Sequence, residues 1–291
     1  MGYHRFVSGT QWPSMDYEFP PGIALRMPND YGLDLNGHYF NYTDETITGE
    51  IYANIHTINE EDVDVEREKK VYDVGVKGTQ NIIKLSNENT KIVFPSTHVI
   101  FEGLTRVVKD INEDYKPKPV LDYSKGKVES EKDLINSNKN FVILRLGSLY
   151  GNSLDSTRLN IMPNLFSKIA SFDGKLTLYS GGDQLKSLVS VYDVARCMEF
   201  VGESKNIKNE IFNCVNENLT VKDVANICKK VNKNLEIVST DDPVPNKGYT
   251  LSNKKIKKEG FKFLYKIENS IEEMISAWSD KNTITVNEDI E

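Results

Sequence analysis

The chain has 291 residues, which suits one large α/β domain or a nucleotide-binding domain with a smaller lobe. Its formal net charge of −7, without a basic stripe, argues against nucleic acid as the main partner. No apolar run reaches the roughly 20 residues that cross a bilayer. Three widely spaced cysteines fit neither a disulfide framework nor a zinc site. We therefore expect a cytoplasmic protein without metal, in which Cys197, Cys214 and Cys228 are buried apolar residues.

The first 60 residues are hard to interpret, whereas the middle of the chain is regular. Arg5–Ser8 could form a strand, but prolines follow and no helix of normal length emerges. Apolar residues then recur at roughly helical spacing over Lys70–Ser86, which predicts a helix. Short apolar runs predict buried parallel strands at Lys91–Phe94 and Phe141–Leu144, with a helix at Ser124–Asn136 between them. This rhythm implies βαβ units and an α/β fold with a parallel sheet.

Towards the C-terminus, two more helices are predicted. Thr220 can cap a helix that runs to about Val231, and Asp223 completes an approximate capping box. Residues 241–246 form a loop, and Ile267–Trp278 has the pattern of an amphipathic helix. The tail after Asp280 is polar, and we expect it to be flexible.

The sharpest chemical pattern is the pair Tyr123 and Lys127. Four residues apart on a helix, the two side chains share one face. A free phenol titrates near pH 10, and a neighbouring ammonium lowers that pKa, so the pair could exchange a proton with a hydroxyl group. Thr97 follows a buried strand, and ligands bind at the carboxyl ends of such strands. The alternatives are a solvated helix face for the pair and a turn residue for Thr97.

Several segments, taken in order, resemble the extended short-chain dehydrogenases/reductases, particularly the nucleotide-sugar epimerases and dehydratases. They are Val74-Gly-Val-Lys-Gly-Thr79, Ser96-Thr97-His98-Val-Ile-Phe101, the Tyr123 and Lys127 pair, Leu144-Arg-Leu-Gly-Ser148-Leu-Tyr-Gly151, and Lys186-Ser-Leu-Val-Ser-Val-Tyr-Asp-Val-Ala195. The resemblance implies a Rossmann-like, doubly wound parallel sheet with a smaller C-terminal substrate-binding lobe. It places the dinucleotide-binding domain at 1–150, with a divergent start, the substrate lobe mostly at 151–280, and a flexible tail at 281–291.

The resemblance also assigns roles to individual residues. Thr97, Tyr123 and Lys127 correspond to the catalytic trio, in which Tyr123 is the acid/base and Lys127 holds the nicotinamide ribose. The residues assigned to substrate binding are Thr97, His98, Ser148, Arg158 and Lys186, with Lys186 and Arg158 as phosphate ligands. The residues assigned to cofactor binding are Gly9, Asn41, Ser96, Tyr123 and Lys127.

One departure from the family pattern concerns the cofactor half. The family opens with a strand and a Gly-x-x-Gly-x-x-Gly turn, which lets the backbone approach the pyrophosphate. Here only Gly9 stands near that place. Three explanations remain open: a remodelled but working cofactor site, loss of cofactor binding, or a replaced N-terminal segment.

The resemblance favours an NAD-dependent nucleotide-sugar epimerase, with NADP as the alternative cofactor and a homodimer as the expected assembly. Dehydratases of the family usually place Asp-Glu after the catalytic Thr, where this chain has His98 and Val99. A nucleotide-sugar keto-reductase is the nearest rival, and a non-catalytic sugar-nucleotide-binding protein is the alternative of a different class.

Overall fold

The computed structural model describes residues 23–24, 65–152, 158–159, 161–244 and 246–288, with side chains between residues 71 and 279. The chain divides into two compact units, Met1–Tyr72 and Asp73–Glu291. In the first unit, strands β1 (Ile23–Ala24) and β2 (Val65–Glu66) pair in parallel. The predicted strand at Arg5–Ser8, with Gly9 and Asn41, lies outside the described residues.

The remaining elements alternate between strands and helices. The helices are α1 (Arg67–Leu85), α2 (Asp122–Ile135), α3 (Met162–Ser171), α4 (Val191–Glu203), α5 (Val221–Val231), α6 (Lys254–Lys258) and α7 (Ile267–Glu288), with 3-10 turns at His98–Phe101 and Ser180–Gly182. The strands are β3 (Lys91–Thr97), β4 (Val108–Ile111), β5 (Asn140–Leu146), β6 (Ser148–Tyr150), β7 (Lys175–Tyr179), β8 (Leu185–Ser190), β9 (Glu210–Cys214), β10 (Glu217–Thr220), β11 (Glu236–Thr240) and β12 (Tyr249–Leu251).

A parallel sheet in the order β3–β5–β9 forms the centre of the second unit. Successive side chains of a strand point to opposite faces of the sheet. On β5, Phe141 and Ile143 pack with Leu134 of α2, whereas Val142 and Leu144 pack with the apolar face of α4. Helices therefore cover both faces, which confirms the prediction of a doubly wound parallel sheet and explains why β5 is apolar on both sides.

A second apolar core gathers the C-terminal helices. Strands β7 and β11 pair in parallel, and α3, α5 and α7 pack around the same cluster as β7. Two further small sheets connect the parts of the chain: β6 and β10 flank β8, and β12 pairs with β4. These sheets bring residues 148, 186 and 249 near the end of β3, where the candidate site forms.

The predicted elements that fall on described residues are present, and some have longer bounds. β3 continues three residues beyond Phe94, to Thr97, and α7 continues ten residues beyond Trp278, to Glu288. The capping box of Thr220 and Asp223 is confirmed, because each side chain accepts a hydrogen bond from the other residue's backbone N–H. The three cysteines are free and buried, as predicted.

Within the described ranges, the helices that are long enough to cross a bilayer are too polar to do so.

Candidate active site

The site lies where β3 and β5 end. Thr97, the last residue of β3, is in register with Leu146, the last residue of β5, and Ser148 follows two residues later. Helix α2 begins at Asp122, so Tyr123 and Lys127 occupy its first turns. The structure thus brings Thr97, Tyr123 and Lys127 together at the carboxyl edge of a parallel sheet, where ligands bind in such folds.

The side chain of Thr97 faces the Tyr123 hydroxyl and acts to lower the pKa of the phenol. Thr97 Oγ1 accepts the backbone N–H of Val99 at 3.2 Å, which caps the 3-10 turn and leaves the Thr97 hydroxyl proton for Tyr123. Thr97 is buried, whereas the Tyr123 side chain is 46% exposed. The phenol oxygen is therefore held by a buried group on one side and open to a ligand on the other.

Burial raises the pKa of Tyr123, while the side chain of Thr97 and the positive charge of Arg158 act in the opposite direction. The net shift is upward, so the phenol keeps its proton at neutral pH. The sequence predicts a lowered pKa through Lys127, and the structure differs because desolvation outweighs the nearby charges. The Lys127 ammonium lies 5.9 Å from the centre of the Tyr123 ring.

Lys127 is fixed by the strand beneath it. Its Nζ donates to the backbone carbonyl of Pro95 at 2.7 Å and lies 4.7 Å from the centre of the Phe94 ring. Burial lowers the pKa of Lys127, and the carboxylate of Glu131, one turn further along α2, counteracts this effect. An ammonium group has three N–H donors, so two remain for hydroxyl oxygens of a ligand.

Beneath Lys127 lies a buried ion pair that ties α2 to the sheet. Arg145 of β5 donates to both carboxylate oxygens of Glu131, with Nη2 at 2.8 Å from Oε2. Ser96 donates its hydroxyl proton to Glu131 Oε1 at 2.5 Å. Ser96 was expected to contact a cofactor, and the structure places its side chain inward, with its proton used by Glu131. The network holds the helix that carries Tyr123 and Lys127 in one register on the strands.

The carboxylate of Glu102 caps the start of α2. The residue before the helix, Leu121, has no side chain that can bond the first N–H groups. Glu102 Oε1 accepts the backbone N–H groups of Val120 and Leu121 at 2.9 and 2.6 Å, and the Ser124 hydroxyl at 2.5 Å. An acidic group at a helix N-terminus is favourable, so Glu102 fixes the turn in which Tyr123 sits.

His98 follows Thr97 and is bonded through both ring nitrogens. Its Nε2 lies 3.1 Å from Ser148 Oγ, and its Nδ1 lies 3.1 Å from the hydroxyl of Tyr249 on β12. That hydroxyl also donates to the His98 carbonyl at 2.8 Å. Burial, assisted by the charge of Lys186, lowers the pKa of His98 to about 4. The ring is therefore neutral at physiological pH.

Lys186 and Arg158 were expected to contact phosphates, and the two side chains differ in their burial. Lys186 lies on β8, partly buried, and burial lowers its pKa, while none of the described residues accepts a hydrogen bond from it. Arg158 is exposed, and its charge reaches the hydroxyl of Tyr123. Buried Asn164 steadies the Arg158 segment by donating to its carbonyl and accepting from the N–H of Gly151.

Sequence reasoning did not single out Glu131, Glu102 or Tyr249. Glu131 could have been found, because it lies four residues after Lys127 on the same helix face. Tyr249 carries no such signal, since 151 residues separate it from its partner. Among the described residues, no cluster of His, Cys, Asp and Glu is arranged to hold a metal ion.

A family model and several solved structures match the chain. The model of the NAD dependent epimerase/dehydratase family matches residues 27–214. No curated protein matches the chain.

Three solved structures illustrate the similarity. The UDP-glucose 4-epimerase of Thermotoga maritima, solved with UDP-glucose, has a TM-score of 0.64 at 19% identity, over 75% of this chain and 72% of that one. The UDP-glucuronic acid 4-epimerase of Bacillus cereus, in complex with UDP-glucuronic acid and NAD, has a TM-score of 0.62 at 18% identity, over 76% and 77%. The dTDP-glucose 4,6-dehydratase of Bacillus anthracis, in complex with NAD, has a TM-score of 0.61 at 21% identity, over 77% and 74%. At these identities the likeness shows the Rossmann-like α/β fold.

Proposed function

The chain belongs to the NAD-dependent epimerase/dehydratase family, and from this premise we propose that it is an NAD-dependent nucleotide-sugar epimerase. The observation that carries the proposal is the meeting of Thr97, at the end of β3, with Tyr123 in the first turn of α2, and with Lys127 one turn further along the same helix. This is the arrangement that proton exchange with a sugar hydroxyl requires.

In the proposed reaction, Tyr123 takes the proton of a sugar hydroxyl and later returns it. Bound NAD would serve as the hydride acceptor and, in its reduced form, as the hydride donor. Thr97 orients the Tyr123 oxygen, and its remaining lone pair can accept a hydrogen bond from the substrate hydroxyl. Lys127, whose ammonium has two N–H donors beyond the bond to Pro95, fits the hydroxyls of a ribose.

Lys186 supports a nucleotide-linked substrate. A partly buried ammonium that no described residue bonds gains most from an anionic ligand, because the ligand restores the interactions lost with water. A sugar-nucleotide pyrophosphate supplies such a charge. Arg158 stands nearer to the reacting group, since its charge acts on Tyr123, so we propose that it contacts the sugar end of the substrate.

A keto-reductase of the same family is the second candidate, and the raised pKa of Tyr123 favours it. A reductase needs a protonated Tyr to deliver a proton to the carbonyl oxygen, and that is the form present at neutral pH. An epimerase needs the phenolate first, and the charge of Arg158 acts in that direction.

We also propose a cytoplasmic homodimer. Reducing conditions suit three free thiols. The outer face of α1 carries exposed apolar side chains at Val74, Ile82 and Leu85, which a second subunit could cover. Sedimentation velocity of wild-type protein and of the Ile82→Glu variant would show a dimer and its loss.

The first measurement identifies the dinucleotide that the protein binds. Purified protein is denatured and released NAD or NADP is identified by mass spectrometry, after which both dinucleotides are titrated into the apo form. Tightly held NAD and interconversion of two nucleotide sugars support the epimerase. Consumption of NADPH with a keto-sugar supports the reductase, and binding of a nucleotide sugar without any dinucleotide supports a non-catalytic role.

Tyr123→Phe is then assayed against the same panel of nucleotide sugars. Loss of the acid/base group should lower kcat by at least about 100-fold while dinucleotide and sugar binding remain within a few-fold. Tyr192→Phe, which removes a hydroxyl from an exposed tyrosine of α4, is the matched control. Equal activity in the two variants would exclude Tyr123 as the acid/base.

A further inference from the structure

The hydrogen bonds around His98 fix the direction of the Ser148 hydroxyl. Tyr249 has one hydroxyl proton, and its oxygen lies 2.8 Å from the His98 carbonyl, which can only accept. That proton therefore lies between these two oxygens. The contact of 3.1 Å between the Tyr249 oxygen and His98 Nδ1 must then use a proton on Nδ1.

The remaining ring nitrogen can only accept. Burial and the charge of Lys186 keep His98 neutral, so the ring has a single N–H, and it is on Nδ1. Nε2 presents a lone pair, and the 3.1 Å contact with Ser148 requires the serine hydroxyl to donate its proton to it. The Ser148 oxygen is left with lone pairs alone.

Ser148 lies where a ligand of the candidate site would touch it. It opens β6 two residues after Leu146, the register partner of Thr97, and its side chain is partly exposed. His98 follows Thr97, so the residues that orient Ser148 lie beside the one that orients Tyr123.

We propose that His98 and Tyr249 make Ser148 a dedicated hydrogen-bond acceptor, which selects substrates that present a proton donor, a sugar hydroxyl, at this position. A carbonyl, carboxylate or ether oxygen there would face the serine lone pairs. The carboxamide of an asparagine in place of Ser148 would offer both a donor and an acceptor, so the preference depends on the serine and on the two residues that orient it. The inference rests on the proposed nucleotide-sugar substrate and specifies one contact with it.

The first test needs no substrate. Two-dimensional proton–nitrogen spectra of histidine rings distinguish a proton on Nδ1 from one on Nε2, and the chain has four histidines to separate. The His98 signals are assigned as those missing from His98→Gln. We expect the Nδ1-protonated form in the wild type and a mixture in Tyr249→Phe, with no change in Tyr192→Phe. A proton on Nε2 in the wild type would overturn the proposal.

The second test measures selectivity by calorimetry with UDP-glucose and its monodeoxyfluoro analogues, in which fluorine replaces one hydroxyl donor at a time. One analogue should bind the wild type about tenfold more weakly than UDP-glucose, the effect of one hydrogen bond. In Ser148→Ala this ratio should fall to about twofold, and in Tyr249→Phe it should fall between these values.

The outcomes separate the inference from the proposed function. If UDP-glucose binds and no analogue is discriminated through Ser148, the acceptor role is wrong while the nucleotide-sugar function stands. If the wild type has the Nδ1 proton but binds neither NAD nor any nucleotide sugar, the hydrogen-bond direction is correct and the proposed function is wrong, together with the selectivity that depends on it.

Discussion

The burial of Lys186 bears on both the proposed ligand binding and the stability of the fold. Its ammonium is partly buried, burial lowers its pKa, and no described residue bonds it. A charge removed from water without a partner is unfavourable to the folded protein. The arrangement becomes favourable when an anion is bound, which is common where function and stability compete.

Replacing Lys186 by Met should therefore have opposite effects on binding and on stability. We expect the variant to bind a nucleotide sugar about tenfold more weakly, or weaker still, because a charge-assisted contact is lost. We expect its free energy of unfolding to be unchanged or higher by up to about 1 kcal/mol. Calorimetric titration and urea denaturation measure the two quantities. Lys258→Met, at an exposed position of α6, is the control that should change neither. Loss of stability without loss of binding would assign Lys186 a structural role.

At the scale of single residues, the sequence predicts that Thr97, Tyr123 and Lys127 come together, but it does not predict the surroundings that shift their pKa values. The four-residue spacing of Tyr123 and Lys127 and the strand before Thr97 are local signals. The net rise of the Tyr123 pKa depends on burial by distant parts of the chain, which no local pattern reports.

Helix α2 carries Tyr123 and Lys127, the two residues for which we propose catalytic roles, yet its own sequence provides no side-chain cap at its start. Leu121 offers no cap, and the bonds come from the carboxylate of Glu102, across the loop. The ion pair of Glu131 and Arg145 fastens the next turns to β5. The helix is therefore held at its start and along its inner face by charged groups from other elements.

Removing the Glu102 carboxylate should weaken the start of α2. We expect Glu102→Ala to lower the free energy of unfolding by about 1–2 kcal/mol, the usual effect of losing a helix cap, and to lower kcat more than it raises KM, since Tyr123 lies in the affected turn. Glu129→Ala, which breaks only an exposed ion pair with Lys132, should cost less than about 0.5 kcal/mol. Equal losses in the two variants, measured by urea denaturation, would contradict the capping role.

The elements that the sequence predicts are those with a long, one-sided or fully apolar pattern. Apolar runs predict strands β3 and β5, and the Thr220 cap predicts the start of helix α5. Short strands such as β4, β6 and β12, of three or four residues, have no such pattern. They form because neighbouring strands pair with them, and they carry Ser148 and Tyr249 into the site.

At the scale of the whole molecule, His98 links stability to pH. Its pKa is about 4 in the folded protein and near 6.5 in an unfolded chain. Between these values the unfolded chain binds the proton and the folded protein does not, so acid favours unfolding. The stabilisation is fully present above about pH 6.5 and is lost as the pH falls towards 4.

We expect the wild type to lose up to about 3 kcal/mol more than His98→Gln between pH 7 and pH 4. Urea denaturation of both proteins across this range measures the difference. Lys186 and Tyr249 face the ring and are kept in both. The partly buried acids Glu113 and Glu217, whose pKa values are raised by desolvation, also occur in both proteins, so their effects cancel. Parallel stability curves would contradict the proposed titration of His98.

The contact between Tyr249 and His98 also bears on the order in which parts of the site form during synthesis of the chain. The two residues are 151 positions apart, and Tyr249 belongs to β12, close to the C-terminus. During synthesis, Thr97, Tyr123 and Lys127 leave the ribosome long before β12 exists, and contacts between distant positions form late. A nascent chain can therefore bring these three residues together while the Ser148 hydroxyl is still free to turn, so the orientation that we propose for Ser148 forms only after β12 has been made.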